Sequence, residues 1–166
     1  GIVYGIGAFS LSQDIGVTVA EADRYIKNYL NKYSGVSKYM ETVVENGKTD
    51  GYVTTMFGRR RYVPELNSSN GLHRAFGKRV AMNAPIQGAA ADIIKIAMVK
   101  VYNRLKAEGL DARLILQVHD ELNFSVKPEE KEKMLALVLE EMQQAFAMSV
   151  PLVADYGWGN NWLEAH

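Results

Sequence analysis

The 166 residues contain no cysteine. A disulfide framework, a cysteine zinc site and a thiol nucleophile are thereby excluded, and a reducing compartment, hence a cytoplasmic setting, is the expectation. No apolar run approaches the roughly 18 residues of a membrane-spanning helix, so no membrane partner is expected. No basic segment followed by an apolar one opens the chain, so no secretory leader is read. The first residue is Gly1 rather than Met, and the sequence is read as starting mid-protein or after processing. Internal repeats, low-complexity tracts and linkers are absent as well. The length suits one domain, by the usual prior of roughly 100–200 residues.

Net charge is lacking too: 19 Lys and Arg balance 19 Asp and Glu. The distribution along the chain is uneven. From Arg59 to Arg79 there are six basic residues (Arg59, Arg60, Arg61, Arg74, Lys78, Arg79) against Glu65 alone, giving +5. From Glu108 to Glu141 there are nine acids and four bases, giving −5. A zero sum therefore does not exclude nucleic acid, because a local basic stripe is what meets phosphate.

The coarse reading is of long helices and a few short strands. Gly1 to Ser12 reads as the tail of a helix. Thr18 with Glu21 is a capping box. Behind it Ala22, Tyr25, Ile26, Tyr29, Leu30 and Tyr33 recur at helical spacing and are expected as core. Gly35 is expected to break this helix and Gly47 to end the next. Tyr52–Phe57 and Arg60–Val63 flank Gly58 as a hairpin. A helix from about Leu72 should stop or bend before Pro85. Another follows, with Ile94, Ala97, Met98, Val101 and Leu105 in register. A helix starting at Pro128 presents Leu135, Val138, Leu139, Met142 and Phe146, and Pro151 stops it. Leu152–Tyr156 is expected as a closing strand, with Trp158 and Trp162 in an aromatic tail. The expected class is α+β, long helices on a small antiparallel sheet.

Leu114–Val126 carries the chemistry. Two apolar-alternating segments meet at His119-Asp120-Glu121, which makes a hairpin with that triplet at its apex. Two adjacent carboxylates displayed on rigid strands suit a divalent cation such as Mg²⁺; a solvated turn is the plainer alternative. A two-metal site needs further carboxylates. Asp92, Asp111 and Asp155 are the candidates, and Asp92 is adequately explained as an acid at a helix start. By this reading the chain holds half of a metal site.

Four strings then occur in order. They are Gly1-Ile2-Val3-Tyr4-Gly5, Gly58-Arg59-Arg60-Arg61-Tyr62-Val63-Pro64, Asn83-Ala84-Pro85-Ile86-Gln87-Gly88 running into Ala91-Asp92-Ile93-Ile94-Lys95, and Gln117-Val118-His119-Asp120-Glu121. Over essentially its whole length the chain resembles the C-terminal part of bacterial family A DNA polymerases. The resemblance implies the end of the fingers over about residues 1–80 and a palm portion over about 81–166, by motif position. It implies template-directed DNA synthesis by two-metal nucleotidyl transfer with Mg²⁺, with primer–template DNA, deoxynucleoside triphosphates and the remainder of the polymerase chain as partners.

Residue by residue, Tyr4 matches the aromatic residue at the insertion site; a core tyrosine is its alternative. Gly5-Ile6-Gly7 is not a dinucleotide loop, since no strand precedes it. Arg79, Asn83 and Gln87 match positions that contact the primer–template duplex from its minor groove, where pairing geometry is checked without reading sequence. Gln117 joins this DNA-binding set. His119 matches a residue at the primer end, Asp120 the carboxylate that binds the catalytic magnesium, and Glu121 a second carboxylate near it. Arg59–Arg61 would hold backbone phosphate or form a solvated turn. The family's other catalytic aspartate, and the fingers-helix Arg and Lys that grip the triphosphate, match nothing in these residues. The resemblance therefore implies a fragment inactive alone, exposing apolar sheet surface and prone to associate. A non-catalytic duplex-binding module is the alternative function.

Overall fold

The computed structural model describes all residues from Gly1 to His166. The architecture is α+β, mostly helical with two small antiparallel sheets. The chain divides into two compact units, Gly1–Ala89 and Ala90–His166.

In the first unit a short 3-10 turn at Ile2–Tyr4 precedes helix α1 (Ala8–Ile15). The opening is therefore a tight turn and a separate helix rather than a helix tail. Left-handed Gly5 (φ 77°) ends the turn, a conformation glycine adopts at little cost. Helix α2 (Val19–Lys32) starts at the expected capping box: Thr18 Oγ1 accepts from the Glu21 backbone N–H at 3.2 Å, and the Glu21 carboxylate accepts from the Thr18 N–H at 3.1 Å. Its aromatic stripe is not core as expected. Ala22 is buried, but Tyr25 and Tyr33 are about half exposed. The periodicity is correct, yet α2 packs chiefly on α1 and α3, and the wide tyrosine rings stay at the edge.

Helix α3 (Ser34–Asp50) begins directly after Tyr33. Gly35 lies in its first turn and Gly47 inside it; neither breaks a helix as expected. Gly47 is there for space. A Cβ on it would come within 2.9 Å of Leu66 Cδ1 and 3.0 Å of Val53 Cγ1. The helix stops at left-handed Gly51. Strands β1 (Tyr52–Thr54) and β2 (Arg60–Tyr62) form the expected hairpin, with Tyr52 opposite Tyr62. Val44, Val53, Val63, Leu66 and Ala81 make the core of this unit.

Helix α4 runs from Gly71 to Ala107 with Pro85 inside it. The expected stop before Pro85 does not occur. An interior proline removes a hydrogen bond and costs about 3 kcal/mol, but Pro85 is itself buried and Ala81, one turn earlier, is wholly buried. Tertiary packing outweighs the local preference. One consequence is that Asp92 sits mid-helix and buried, so the helix-start explanation for it falls.

In the second unit strands β3 (Arg113–Val118) and β4 (Glu121–Ser125) pair antiparallel, with Val118 opposite Glu121 and a bulge between Leu114 and Leu116. A 3-10 turn at Pro128–Glu130 leads into helix α5 (Lys131–Gln143). Its fully buried residues are Met134 and Leu137, so the inward face is rotated by about one residue from the expected one. They pack with Val101, Leu105 and Ala112. Helix α5 ends well before Pro151; Lys100 Nζ donates to the carbonyls of Gln144 (2.7 Å) and Ala145 (3.1 Å) just past its end, a favourable place for a cation. Leu152–Tyr156 is not a strand: the sheet keeps two members, and a segment with no ladder partner is not held as β structure. A four-residue helix α6 (Trp162–Ala165) closes the chain.

Candidate functional site

The β3–β4 hairpin turns through His119 and Asp120 alone. His119 has φ 50°, the only non-glycine residue in the left-handed region. Tight hairpin turns demand that region, and histidine tolerates it better than most residues. The turn is braced from within: Gln117 Nε2 donates to the His119 carbonyl at 2.6 Å. The bulge at Ile115 lies further down β3, and bulges raise local twist and re-aim side chains next to active sites. The outcome is a rigid finger with His119 and Asp120 exposed at its tip.

The two apex carboxylates differ sharply. Asp120 forms no hydrogen bond and no ion pair. Glu121 is half-buried and engaged on both oxygens. Trp162 Nε1 donates to Oε1 at 2.8 Å, and His166 Nδ1 lies 3.2 Å from Oε2. The Asn123 amide, the Trp162 indole and His166 together hold the Glu121 carboxyl below its ordinary range. Asn123 Nδ2 closes no bond of good geometry, so the short Trp162 bond is the firmer cause.

Beside the apex the second unit has a cavity of about 630 Å³, walled by apolar side chains of α4, β4 and α5 and by Leu152–Gly159. Asp120, Glu121 and Asp155 are among the residues that line it. Asp111 is spent elsewhere, on Lys127 at 2.9 Å and Arg113 at 3.8 Å, and these cations lower its pKa. No set of three His, Asp or Glu side chains converges to hold a metal ion anywhere in the chain.

The first unit holds the other candidates. Arg79, Asn83 and Gln87 all lie on α4, and because the helix continues through Pro85 their four-residue spacing puts them on one side of it. Arg79 and Gln87 are exposed and Asn83 is half-buried. Asn83 Oδ1 is buried without a hydrogen-bond partner. Tyr4, 43% exposed, stands beside this helix, because Gly5 sits so close that a Cβ there would strike Met82 Cε at 2.5 Å and touch Arg79 Cγ at 3.5 Å. Arg60 lies over the Tyr52 ring at 4.6 Å, while Arg61, Lys78 and Arg79 make no ion pair.

The sequence profile of DNA polymerase family A matches residues 1–164. The chain belongs to DNA polymerase family A. It is 52% identical to DNA polymerase I of Bacillus subtilis (strain 168) and 49% identical to that of Bacillus caldotenax, over 99% of this chain and 19% of either relative. Among solved structures it matches the POL domain of Pol1 from M. smegmatis in complex with DNA primer-template and dNTP, with TM-score 0.92 and 44% identity, over 99% of this chain and 29% of that one. The chain thus spans about a fifth of the full-length relatives.

Within this family A chain, sequence reasoning missed Trp162 and His166. It placed Trp162 in a tail and gave His166 no part. The missed signal was their spacing of four residues, about one helical turn, which brings the first residue of α6 and its C-terminal cap toward one partner.

Proposed function

We propose that the polymerase of which this chain forms a part carries out template-directed DNA synthesis by nucleotidyl transfer, acting on primer–template DNA and deoxynucleoside triphosphates. In this reading about residues 1–80 belong to the end of the fingers and about residues 81–166 to the palm. The observation that carries it is Asp120: an exposed carboxylate without a partner, on a braced hairpin tip, in a family A chain. Magnesium is commonly held by one or two carboxylates together with substrate phosphates and water, and a single unengaged Asp120 fits that pattern. When bound, the cation would neutralise charge developing on the transferring phosphate. Glu121, engaged on both oxygens, contributes near the site rather than as an equal ligand.

The remaining roles follow from residue chemistry. Arg79, Asn83 and Gln87 offer donors along one side of α4, suited to minor-groove acceptors that look alike in every base pair. Tyr4 offers a half-exposed ring for stacking at the insertion site. His119 stands at the tip beside Asp120, where it can donate to the primer end, and Gln117 fixes the turn that presents both. Arg61 and Lys78 have charge to spare for backbone phosphate. Because no three ligands converge within these residues, the chain on its own is inactive in this reading and works with the remainder of the polymerase.

In the intact polymerase Asp120→Ala should reduce single-turnover incorporation by about 10²–10³-fold or more, the cost of losing one preorganised electrostatic group, while primer–template affinity stays close to the parent value. Parent-like extension by this variant would overturn the assignment.

A further inference from the structure

Glu121 is the apex residue tied back to the end of its own chain. Its two partners are Trp162, the first residue of α6, and His166, the residue that caps its C-terminal end; their rings meet edge-on, with centroids 6.1 Å apart. A four-residue helix has no stability of its own, and this one gains little from apolar burial, since Trp162 is 49% and Leu163 89% exposed. Polar bonds and close fit organise it instead. Asn161 Oδ1 accepts from the Glu164 N–H at 3.1 Å; the Glu164 carboxylate accepts from Asn161 Nδ2 at 2.6 Å and from the Asn160 N–H at 2.9 Å. Gly157 and Gly159 seat the helix: a Cβ on the first would overlap the Ala165 carbonyl, and on the second the side chain of Glu164. Between them Trp158 lies under the Lys131 ammonium at 4.6 Å. Exposed bonds of this kind contribute little to stability, so stabilisation is a poor account of so specific an arrangement.

We propose that α6 is a strap that positions Glu121, with Trp162 and His166 holding its carboxylate so that Asp120 alone remains unengaged at the apex. The strap thereby sets how strongly the apex takes a divalent cation. Trp162 and His166 are positioning residues acting through Glu121. This inference rests on the polymerase reading above, and its test separates the two.

In the intact polymerase, fluorotryptophan placed at position 162 gives a fluorine resonance that reports its surroundings without DNA or nucleotide. Glu121→Gln should shift that resonance, and Mg²⁺ should leave it in place. Trp162→Phe and His166→Leu should each raise the Mg²⁺ concentration for half-maximal incorporation by about tenfold, the lower end of what losing an outer-shell group at a metal site costs, with little change in the KM for nucleotide. His166→Gln, which keeps a donor, should restore the parent requirement. Once Glu121→Gln is present, Trp162→Phe should add nothing. A resonance indifferent to Glu121→Gln, or a Trp162→Phe effect equal with and without Glu121→Gln, would overturn the strap. A parent protein that incorporates no nucleotide would overturn the polymerase reading instead, and the fluorine measurement would still decide whether Trp162 engages Glu121.

Discussion

The two units handle charge in opposite ways. In the first, Arg61, Lys78 and Arg79 make no ion pair, and Arg74 donates to the backbone carbonyls of Ser68 and Ser69. In the second, several of the acids are tied to cations of the same unit. Arg104 reaches Glu108 (3.1 Å), Glu140 (2.6 Å) and Glu141 (2.9 Å), and Lys133 takes the other oxygen of Glu108 at 3.1 Å. Lys127 takes Asp111. The three carboxylates hold the Arg104 guanidinium firmly protonated, and the two cations hold the Glu108 carboxyl below its ordinary value. One unit leaves positive charge available to an outside partner; the other uses much of its negative charge to join its own elements, and Asp120 is the unpaired carboxylate at the hairpin tip. A net charge of zero conceals both.

The widest consequence concerns DNA. Each phosphate contact contributes roughly 0.9 to the slope of log affinity against log salt. Arg61→Ala with Lys78→Ala in the intact polymerase should make that slope shallower by about 1 for each residue removed, with melting unchanged. Arg104→Met in the second unit should do the reverse, lowering the melting midpoint and leaving the slope alone. A salt titration of primer–template binding beside a thermal melt reads both. If the two variants behaved alike, the division of labour between the units would be wrong.

How far this division was legible in the sequence depends on the range of the forces involved. The β3–β4 hairpin was legible because alternation with period two is a local property and its apex is where the alternation fails. The capping box at Thr18 was legible for the same reason. Pro85 was not. Its local cost is real, but Ala81 and Pro85 are buried, and only the tertiary fold shows that. Tyr25 and Tyr33 have core periodicity without core neighbours. Leu152–Tyr156 has strand composition without a strand to pair with. Asp92 reads as a helix-start acid only if a helix begins there, and α4 runs straight through it. At the site, Asp120 could be named from the sequence, whereas its freedom from partners and the engagement of Glu121 by Trp162 and His166 depend on residues about forty positions away.

Acid should separate the units next. In the second, Glu108, Asp111, Glu121 and Glu164 are all held below their ordinary values, Glu108 by Lys133 and Arg104, Asp111 by Lys127, and Glu164 by the Asn160 N–H. In the first, Glu21 is held low through its bonds to Thr18. A carboxylate whose pKa is lower folded than unfolded contributes stability that is complete above the unfolded value, near 4.5 for Glu and 3.8 for Asp, and is lost as pH falls through the lower folded value. Below about pH 4.5, peptide-resolved hydrogen exchange should therefore quicken in β3, β4, α5 and α6 before it quickens in α3 and the β1–β2 hairpin, by the small margin that solvent-screened pairs contribute. The opposite order would mean that these ion pairs do not hold the second unit together.

The smallest expected effect tests whether the acids of the two units also differ in reach. Glu21 acts on a residue three positions away, at the start of its own helix, whereas Arg104 gathers Glu140 and Glu141 from another helix. Thr18→Ala removes the acceptor for the Glu21 N–H and should cost about 1 kcal/mol, the usual value of such a cap. Because the loss is local, exchange should quicken only in the first turn of α2 and leave α3 as it was. Arg104→Met should instead loosen α4 and α5 together. A Thr18→Ala change that spread into α3 would show that α2, despite its exposed Tyr25 and Tyr33, is coupled to its neighbours through packing rather than held in place from its own end.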